Sequence, residues 1–168
     1  PLVLVCTHAK RDTCCAVKGR PLAAELVADY PDMVWETSHT KGHRFAPSVM
    51  LMPWAYSFGR MNKEAAAQMI AAAAKGKYFY PVNRGRGIFG PRGQVAELAV
   101  ARALIDAGEE LSYGQLTATD SGEVSHIDGR RWRVTLEERE VEGVVSSCGD
   151  APKTGQAIVA TGVEPVAG

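Results

Sequence analysis

Residues 2–31 read LVLVCTHAKRDTCCAVKGRPLAAELVADYP, and this stretch decides the predicted fold. Its first part is a short apolar run rich in β-branched residues, which favours a strand buried on both faces. Its last part favours a helix, because Leu22 and Leu26 share one face and Pro31 follows the end. Pro21 suits the first turn of that helix. A buried strand followed by a helix predicts an α/β layer.

The elements predicted after residue 31 complete one α/β unit. In chain order they are a short strand over MVWETSH, a hairpin over SVMLMPWAYSFGRM that turns near Pro53–Trp54–Ala55, and a helix over NKEAAAQMIAAAAKGK. Asn62 is the predicted N-cap of this helix and Gly76 its terminator. The predicted order over residues 1–80 is therefore β-α-β-β-β-α, with the hairpin antiparallel.

The remainder of the chain predicts a small extension. Residues 81–92 are rich in Gly, Pro and Arg, which favours a linker. Residues 93–168 contain a helix closed by Gly108 and a hairpin that turns at Asp128–Gly129. Gly, Pro and Ala accumulate from about Ser147 onward, so this end is expected to be a loose tail. Cys148 lies in that tail and is expected to be neither ligand nor catalyst.

Charge is divided unevenly along the chain. The 168 residues are 46% hydrophobic and 23% charged, with a net charge of zero, which is typical of a globular protein and argues against a general nucleic-acid binder. Residues 1–96 contain 13 Lys and Arg against 6 Asp and Glu, whereas residues 97–168 contain 6 against 13. This asymmetry predicts a basic working surface and an acidic extension.

The cysteine pattern and the hydropathy indicate a compartment. No apolar run approaches the length that spans a bilayer, so no membrane association is expected. The four cysteines do not form the regular framework of a small disulfide-rich secreted domain. Without a secretion signal, thiols are more often metal ligands, catalytic groups or buried side chains. The sequence therefore predicts a reducing cytoplasm.

Ligand-capable side chains gather in two predicted loops. The loop after the first strand holds Cys6, His8 and one of Cys14 and Cys15, and the loop after the second strand holds His39 and His43. In an open α/β layer, both loops can emerge at the same edge of the sheet, where sites usually form. Two thiolates and two imidazoles are a donor set that suits a metal centre.

The spacing of these residues limits the kind of centre. A structural zinc finger has a tight C-x2–4-C knuckle, whereas Cys6 and Cys15 are nine positions apart. Thioredoxin-type redox chemistry needs C-x-x-C, which the sequence lacks. A Rieske centre needs a Cys-x-x-His to complement Cys6-Thr7-His8, and the sequence lacks that as well. The remaining arrangement takes thiols from one loop and imidazoles from the other, with zinc or iron left open.

Three stretches of the sequence resemble the sucrase/ferredoxin-like family, a branch of the thioredoxin-like 2Fe–2S ferredoxins. They read CTHAKRDTCCAVKGRPL, VWETSHTKGHRFAPSVMLMP and FGRM. The family pattern is C-[ST]-H-x-K-R-D-x-x-C near the first strand, followed by S-H-x-x-G-H-[RK]-[FW]-A before a hairpin. The resemblance is close over residues 3–62 and extends to about residue 80. It implies an α/β thioredoxin-like ferredoxin fold followed by an α+β extension.

The resemblance also implies the ligands of a cofactor. In a 2Fe–2S cluster of this branch, Cys6 and Cys15 would bind one iron, and His39 and His43 would bind the other. The pattern selects Cys15 rather than Cys14, so Cys14 is an extra thiol whose substitution is expected to be tolerated. Basic side chains nearby could donate hydrogen bonds, offset cluster charge or dock an acidic partner; they are His8, Lys10, Arg11, Lys41 and Arg44.

The function expected from this reading is one-electron transfer or redox sensing. Imidazole ligands raise the potential of a cluster and can couple electron transfer to proton transfer. No catalytic residue is predicted, because no nucleophile–base pair or nucleotide motif is recognisable, so the chain is not expected to be an enzyme by itself. The expected partner is a redox protein, with an acidic surface and a homodimer both left open. A cluster-regulated nucleic-acid binder that uses DGRRWR as a wing, and a structural zinc module, remain the alternatives.

Overall fold

The computed structural model describes residues 1–10 and 12–167, which form two sheets and three α-helices. In chain order the elements are β1 (Leu2–Cys6), α1 (Thr13–Asp29), β2 (Val34–Thr37), a 3-10 helix (His43–Phe45), β3 (Val49–Met52), β4 (Tyr56–Phe58), α2 (Lys63–Ala74), β5 (Asn83–Arg86), α3 (Pro91–Asp106), β6 (Leu116–Ala118), β7 (Glu123–His126), β8 (Arg131–Val144) and β9 (Lys153–Pro165). The first sheet has the order β2-β1-β3-β4-β5 and the second has the order β6-β7-β8-β9.

The first sheet is the predicted α/β thioredoxin-like unit. β1 lies between β2, to which it is parallel, and β3, to which it is antiparallel, and β3 pairs with β4 in the predicted hairpin. Val3 and Val5 of β1 are fully buried and share one core with Leu26 of α1 and Met69 of α2. The β-α-β-β-β-α order is therefore confirmed. The carboxyl end of β1, where Cys6 lies, meets the start of α1.

The first helix begins earlier than the sequence predicts. α1 starts at Thr13, so Pro21 is inside the helix rather than in its first turn. Asp12 is the N-cap, and its side chain accepts a hydrogen bond from the Cys14 amide at 2.8 Å. This cap satisfies a backbone donor of the first turn. The early start places Cys15 in the first turn of α1, next to the end of β1.

The prediction that residues 81–92 form a linker is wrong. Residues 83–86 form β5, which pairs with β4 and completes the outer edge of the first sheet. The Asn83 side chain accepts a hydrogen bond from the Gly85 amide at 2.9 Å, which stabilises this Gly-rich strand locally. Pro91 then begins α3 directly. Strand pairing with β4, which local composition does not encode, overrides the loop signal.

The predicted loose tail is also wrong. β9 pairs with β8 over nearly its whole length, and the two strands form a long antiparallel ribbon at the edge of the second sheet. The turn predicted at Asp128–Gly129 is confirmed between β7 and β8. α3 packs against β5 of the first sheet and against β6, β8 and β9 of the second. No helix in the described part of the chain is long and apolar enough to cross a membrane.

Candidate metal centre

Cys6 and Cys15 meet at the carboxyl end of β1. Each is only 1% exposed, both are free thiols, and they pack in the same small buried cluster. Burial raises the pKa of the Cys15 thiol to about 12, and the neighbouring Cys6 and Asp12 raise it as well. A thiol in this environment keeps its proton at neutral pH unless a bound metal ion replaces it.

Gly19 allows the two cysteines to approach. It lies in α1 against the backbone of Cys6, and a Cβ atom at this position would collide with the carbonyl oxygen of Cys6. The Cys6 amide is fixed in turn by a 3.0 Å hydrogen bond to the Ser48 carbonyl oxygen. The glycine therefore sets the distance between the strand that holds Cys6 and the helix that holds Cys15.

His43 is connected to this pair of thiols through Ala46. It begins the 3-10 helix after Gly42, whose φ of 73° belongs to the left-handed region that favours glycine. The Ala46 amide donates to the His43 carbonyl oxygen at 3.0 Å, and Ala46 packs in the same small buried cluster as Cys6 and Cys15. The 3-10 helix thus brings the histidine loop to the cysteines.

His39 and His43 are neighbours across the same loop. Their ring centroids are 5.8 Å apart. His39 is exposed and His43 is half-buried. The two predicted thiol ligands thus pack together and the two predicted imidazole rings are neighbours, while Ala46 packs with the thiols and bonds to the His43 backbone. That all four bind one cluster stays a prediction.

The two nitrogens of His43 have different environments. Nε2 lies 3.1 Å from the Ser147 hydroxyl oxygen, in the loop between β8 and β9. Nδ1 is buried and has no hydrogen-bond partner among the described residues. A buried polar atom without a partner is costly, and a metal ion is one way to satisfy it. This orphaned nitrogen is the observation that best fits the predicted donor set.

The loop between β8 and β9 contacts the residues of the site through Ser147 and Cys148. Cys148 of this loop forms a disulfide with Cys14, with the Cα atoms 5.7 Å apart. The Cys148 amide also donates to Asp12 Oδ2 at 2.9 Å. Sequence analysis missed Asp12 and Ser147, placed Cys148 in a loose tail and took Cys14 for an extra thiol; the structure corrects the last two, because the two cysteines are bonded to each other. The one available signal was arithmetic, because Cys14 and Cys148 are the two thiols left over once Cys6 and Cys15 are paired.

Among the described residues, Asp12, Cys14 and Cys148 are the potential ligands that gather most closely, and no such group of three or more contains Cys6, Cys15, His39 or His43. One ligand atom from each lies within 4.8 Å of the others. The two sulfurs, however, are bonded to each other, and both carboxylate oxygens of Asp12 accept backbone hydrogen bonds. The group therefore acts as a connection between α1 and the β8–β9 loop.

The basic residues predicted to surround the site occupy different places. His8 and Lys10 line a separate cavity of about 530 Å³ with Arg20 and Glu36. His8 Nδ1 is buried there without a hydrogen-bond partner among the described residues. Arg11 lies outside the described residues. His8 and Lys10 therefore stay predictions as supporting groups, and only their position beside β1 is established.

A cationic surface lies beside the histidine loop. The guanidinium carbons of Arg44 and Arg84 lie 4.6 and 4.2 Å from the centroid of the Phe45 ring, and that of Arg60 lies 5.9 Å away. Burial, and secondarily Arg44, lower the pKa of Arg84. None of these three arginines forms an ion pair with a carboxylate in the described part of the chain. We call Arg44, Phe45, Arg60 and Arg84 the basic face.

A comparison with protein families assigns the family of this chain. The family model described as Sucrase/ferredoxin-like matches residues 1–85. The chain belongs to the sucrase/ferredoxin-like family. The match of this sucrase/ferredoxin-like chain includes all four predicted ligands and ends in β5, before α3 and the second sheet. No curated protein and no solved structure matches the chain.

The β8–β9 loop of this sucrase/ferredoxin-like protein lies outside the region that matches the family. Cys6, Cys15 and the histidine loop lie in the matched region, whereas Ser147 and Cys148 lie beyond residue 85. The contacts of Ser147 with His43 and of Cys148 with Cys14 therefore join the family region to the C-terminal extension.

Proposed function

We propose that this sucrase/ferredoxin-like protein is an electron carrier or redox sensor that holds a 2Fe–2S cluster through Cys6, Cys15, His39 and His43. The observation that supports it best is the buried, unpartnered Nδ1 of His43, in a chain that also has two buried free thiols at the end of β1 and the start of α1. Thiols and imidazoles are the donors that such a cluster takes, and the family match covers the loops that supply them. The cytoplasmic location predicted from the cysteine pattern remains part of this proposal.

The residues around the site have distinct tasks. A cluster held by two thiolates and two imidazoles exchanges one electron at a higher potential than one held by four thiolates. His43 would face iron through Nδ1, because Nε2 is next to the Ser147 hydroxyl. With Nδ1 on iron, Nε2 would donate its proton to the Ser147 hydroxyl oxygen, and that contact would fix the ring orientation. His39 is exposed, so it marks the side on which electrons enter or leave.

The expected partner is a redox protein with an acidic surface. His39 and Lys41 line a cavity of about 560 Å³ with Arg84, which also belongs to the basic face. Cations that are not neutralised within the chain attract an acidic surface and speed its approach. We assign no reaction on a substrate to the chain, so its proposed role is that of a carrier or sensor for another protein.

The test compares metal, sulfide and spectrum in the wild type and in His43→Cys. The wild type is expected to contain about two irons and two sulfides per chain and to be red-brown. In His43→Cys a thiolate replaces a neutral imidazole, so the variant should keep a cluster with an altered absorption spectrum. Its midpoint potential should be lower, because the added negative charge makes reduction harder.

The matched control is His126→Cys, which makes the same substitution in β7 of the second sheet. It should leave spectrum and potential unchanged. An unchanged spectrum in His43→Cys would remove His43 from the site. A colourless chain that contains zinc without sulfide would replace the proposal by a structural zinc module.

A further inference from the structure

The Cys14–Cys148 disulfide joins the start of α1 to the end of the β8–β9 ribbon. The two cysteines are 134 positions apart, and Cys148 lies beyond the region that matches the family. Ser147, the neighbour of Cys148, contacts His43, and Cys148 donates its amide to Asp12. One short loop therefore makes three contacts at the edge of the candidate metal centre.

The ribbon has little core of its own beyond its base. β8 is 14 residues long, which at about 3.3 Å per residue spans about 46 Å. Trp132 and Val134 at its base are buried, whereas residues 137–143 are exposed. An isolated two-stranded hairpin is only marginally stable in water. The contacts of residues 147–148 with Asp12, Cys14 and His43 therefore hold the outer part of the ribbon in place.

The ribbon also lies against the basic face. Residues 141–145 and 156–157 enclose a cavity of about 350 Å³ with Arg44, Phe45 and Arg60. Glu142 is part of this wall, so an acidic side chain of the ribbon lies at the cations that the proposed partner would use. Like charges of ribbon and partner would compete for one surface.

We propose that Cys14–Cys148 is a thiol-exchange site which accepts electrons from a dithiol, and that its reduction releases the ribbon from the candidate metal centre. A thiolate of the dithiol attacks Cys148 Sγ, and the Cys14 thiolate leaves as the mixed disulfide forms. The second thiol of the reductant then attacks the mixed disulfide and releases Cys148. Two electrons and two protons pass to the protein, and the dithiol becomes a cyclic disulfide.

Exposure selects this disulfide and the sulfur that is attacked. Cys148 is exposed and Cys14 is half-buried, so an external thiolate reaches Cys148 Sγ first. Cys6 and Cys15 are 1% exposed and form no disulfide, which leaves them outside the exchange. The chain thus contains two thiol pairs of different chemistry, one buried and free and one at the surface and oxidised.

Release of the ribbon has two consequences at the site. His43 loses its Ser147 contact, and Glu142 leaves the wall that it shares with Arg44 and Arg60. The second consequence, access of an acidic partner to the basic face, rests on the proposed function. The exchange and the release rest only on the disulfide and the contacts of the loop, so they can be tested without reference to a cluster.

The exchange is tested by differential alkylation of the purified full chain. Before reduction, a maleimide should label neither Cys14 nor Cys148. After a short treatment with dithiothreitol, peptide mapping should find both labelled while Cys6 and Cys15 remain protected. Labelling of Cys14 and Cys148 before reduction, or protection of both after it, would overturn the proposal.

The release is tested by hydrogen exchange of the ribbon. In reduced wild type and in Cys148→Ser, amides of residues 137–148 and 153–159 should exchange about tenfold faster or more than in the oxidised chain. The matched control Ser146→Ala, in the same loop with the disulfide intact, should exchange like the oxidised wild type. Equal exchange in oxidised and reduced chains would refute the release. Iron and sulfide analysis of the same samples reports separately on the proposed function.

Discussion

The imidazole Nε2 of His43 lies 3.1 Å from the hydroxyl oxygen of Ser147, a residue 104 positions later in the chain. This contact connects the family region to the β8–β9 loop. It also leaves Nδ1 as the nitrogen of His43 that has no hydrogen-bond partner in the described part of the chain. The C-terminal extension therefore contacts the site through Ser147, in addition to the disulfide and the Cys148 amide bond to Asp12.

Loss of the Ser147 hydroxyl should weaken the hold on the cofactor. In Ser147→Ala the His43 ring loses the partner that fixes its orientation, and such changes typically cost about tenfold or more in metal affinity. We expect iron to pass to a chelator about tenfold faster than in the wild type. Ser146→Ala is the control and should match the wild type. Equal rates in both variants would show that Ser147 does not support the ligand.

Filling the space at Gly19 should separate the two buried cysteines. A Cβ atom at this position meets the carbonyl oxygen of Cys6, so Gly19→Ala must push α1 away from β1. Overpacking of this kind costs about 1–3 kcal/mol, measurable by urea unfolding, and iron content should fall as well. Arg20→Ala, an exposed neighbour, should change neither. A Gly19→Ala chain of wild-type stability would contradict the close approach.

Asp12 should have a second role beyond capping its helix. Asp12→Ala removes the cap of α1 and the acceptor of the Cys148 amide, whereas Asn62→Ala removes only the cap of α2. Each should lower the unfolding free energy by about 1 kcal/mol. Only Asp12→Ala should also accelerate hydrogen exchange of residues 145–150. If both variants exchange alike there, the Asp12 contact does not hold the loop.

Glu97 should make folding stability depend on pH. It is fully buried in α3 and accepts a hydrogen bond from the Tyr56 hydroxyl, while its other carboxylate oxygen has no partner among the described residues. Burial raises the pKa of Glu97 from 4.5 to about 7, against smaller lowering effects of Tyr56 and Arg86. The folded chain therefore favours the protonated carboxyl.

The raised pKa of Glu97 determines how the unfolding free energy changes with pH. The stabilisation by protonated Glu97 is fully present below about pH 4.5 and is lost as the pH rises through about 7. Glu97→Gln cannot ionise, so relative to the wild type it should gain about 2–3 kcal/mol of unfolding free energy between about pH 5 and about pH 8. Urea unfolding at both pH values measures the difference. A constant difference would show that Glu97 does not titrate in this range.

The basic face should attract anionic redox partners. Dithionite is an anionic reductant, so Arg44→Gln should be reduced by it roughly twofold more slowly at low ionic strength. The difference should vanish in high salt, because exposed charges are then screened. Stopped-flow absorption measures the rate, and Arg102→Gln on α3 is the control. Equal slowing in both variants would indicate a general charge effect rather than a local one.

Local sequence was sufficient to predict most helices and strands of residues 1–80, because the signals that begin and end them act over a few residues. The apolar run of β1, the Asn62 cap and the Gly76 terminator each act within a few residues of an element, and the structure has them as predicted. The start of α1 was misplaced, because Pro21 was read as a first turn while Asp12 provides the actual cap. The three stretches that resemble the family likewise lie in the same region.

The second half of the chain depends on pairings that a local pattern cannot encode. β5 is a Gly- and Arg-rich segment that becomes a strand only against β4, and β9 does so only against β8. Backbone hydrogen bonding stabilises these segments whatever their composition, because the partner strand satisfies their amides and carbonyls.

The sequence by itself determined the α/β thioredoxin-like unit, its family and the two segments, residues 6–15 and 39–43, that contain the predicted ligands. Only the tertiary structure decided what covers those segments. Ser147 and Cys148 reach the site because a long antiparallel ribbon returns to the start of α1, and Cys14 then has a bonding partner. Contacts between segments so far apart depend on the path of the whole chain, which no short stretch of sequence specifies.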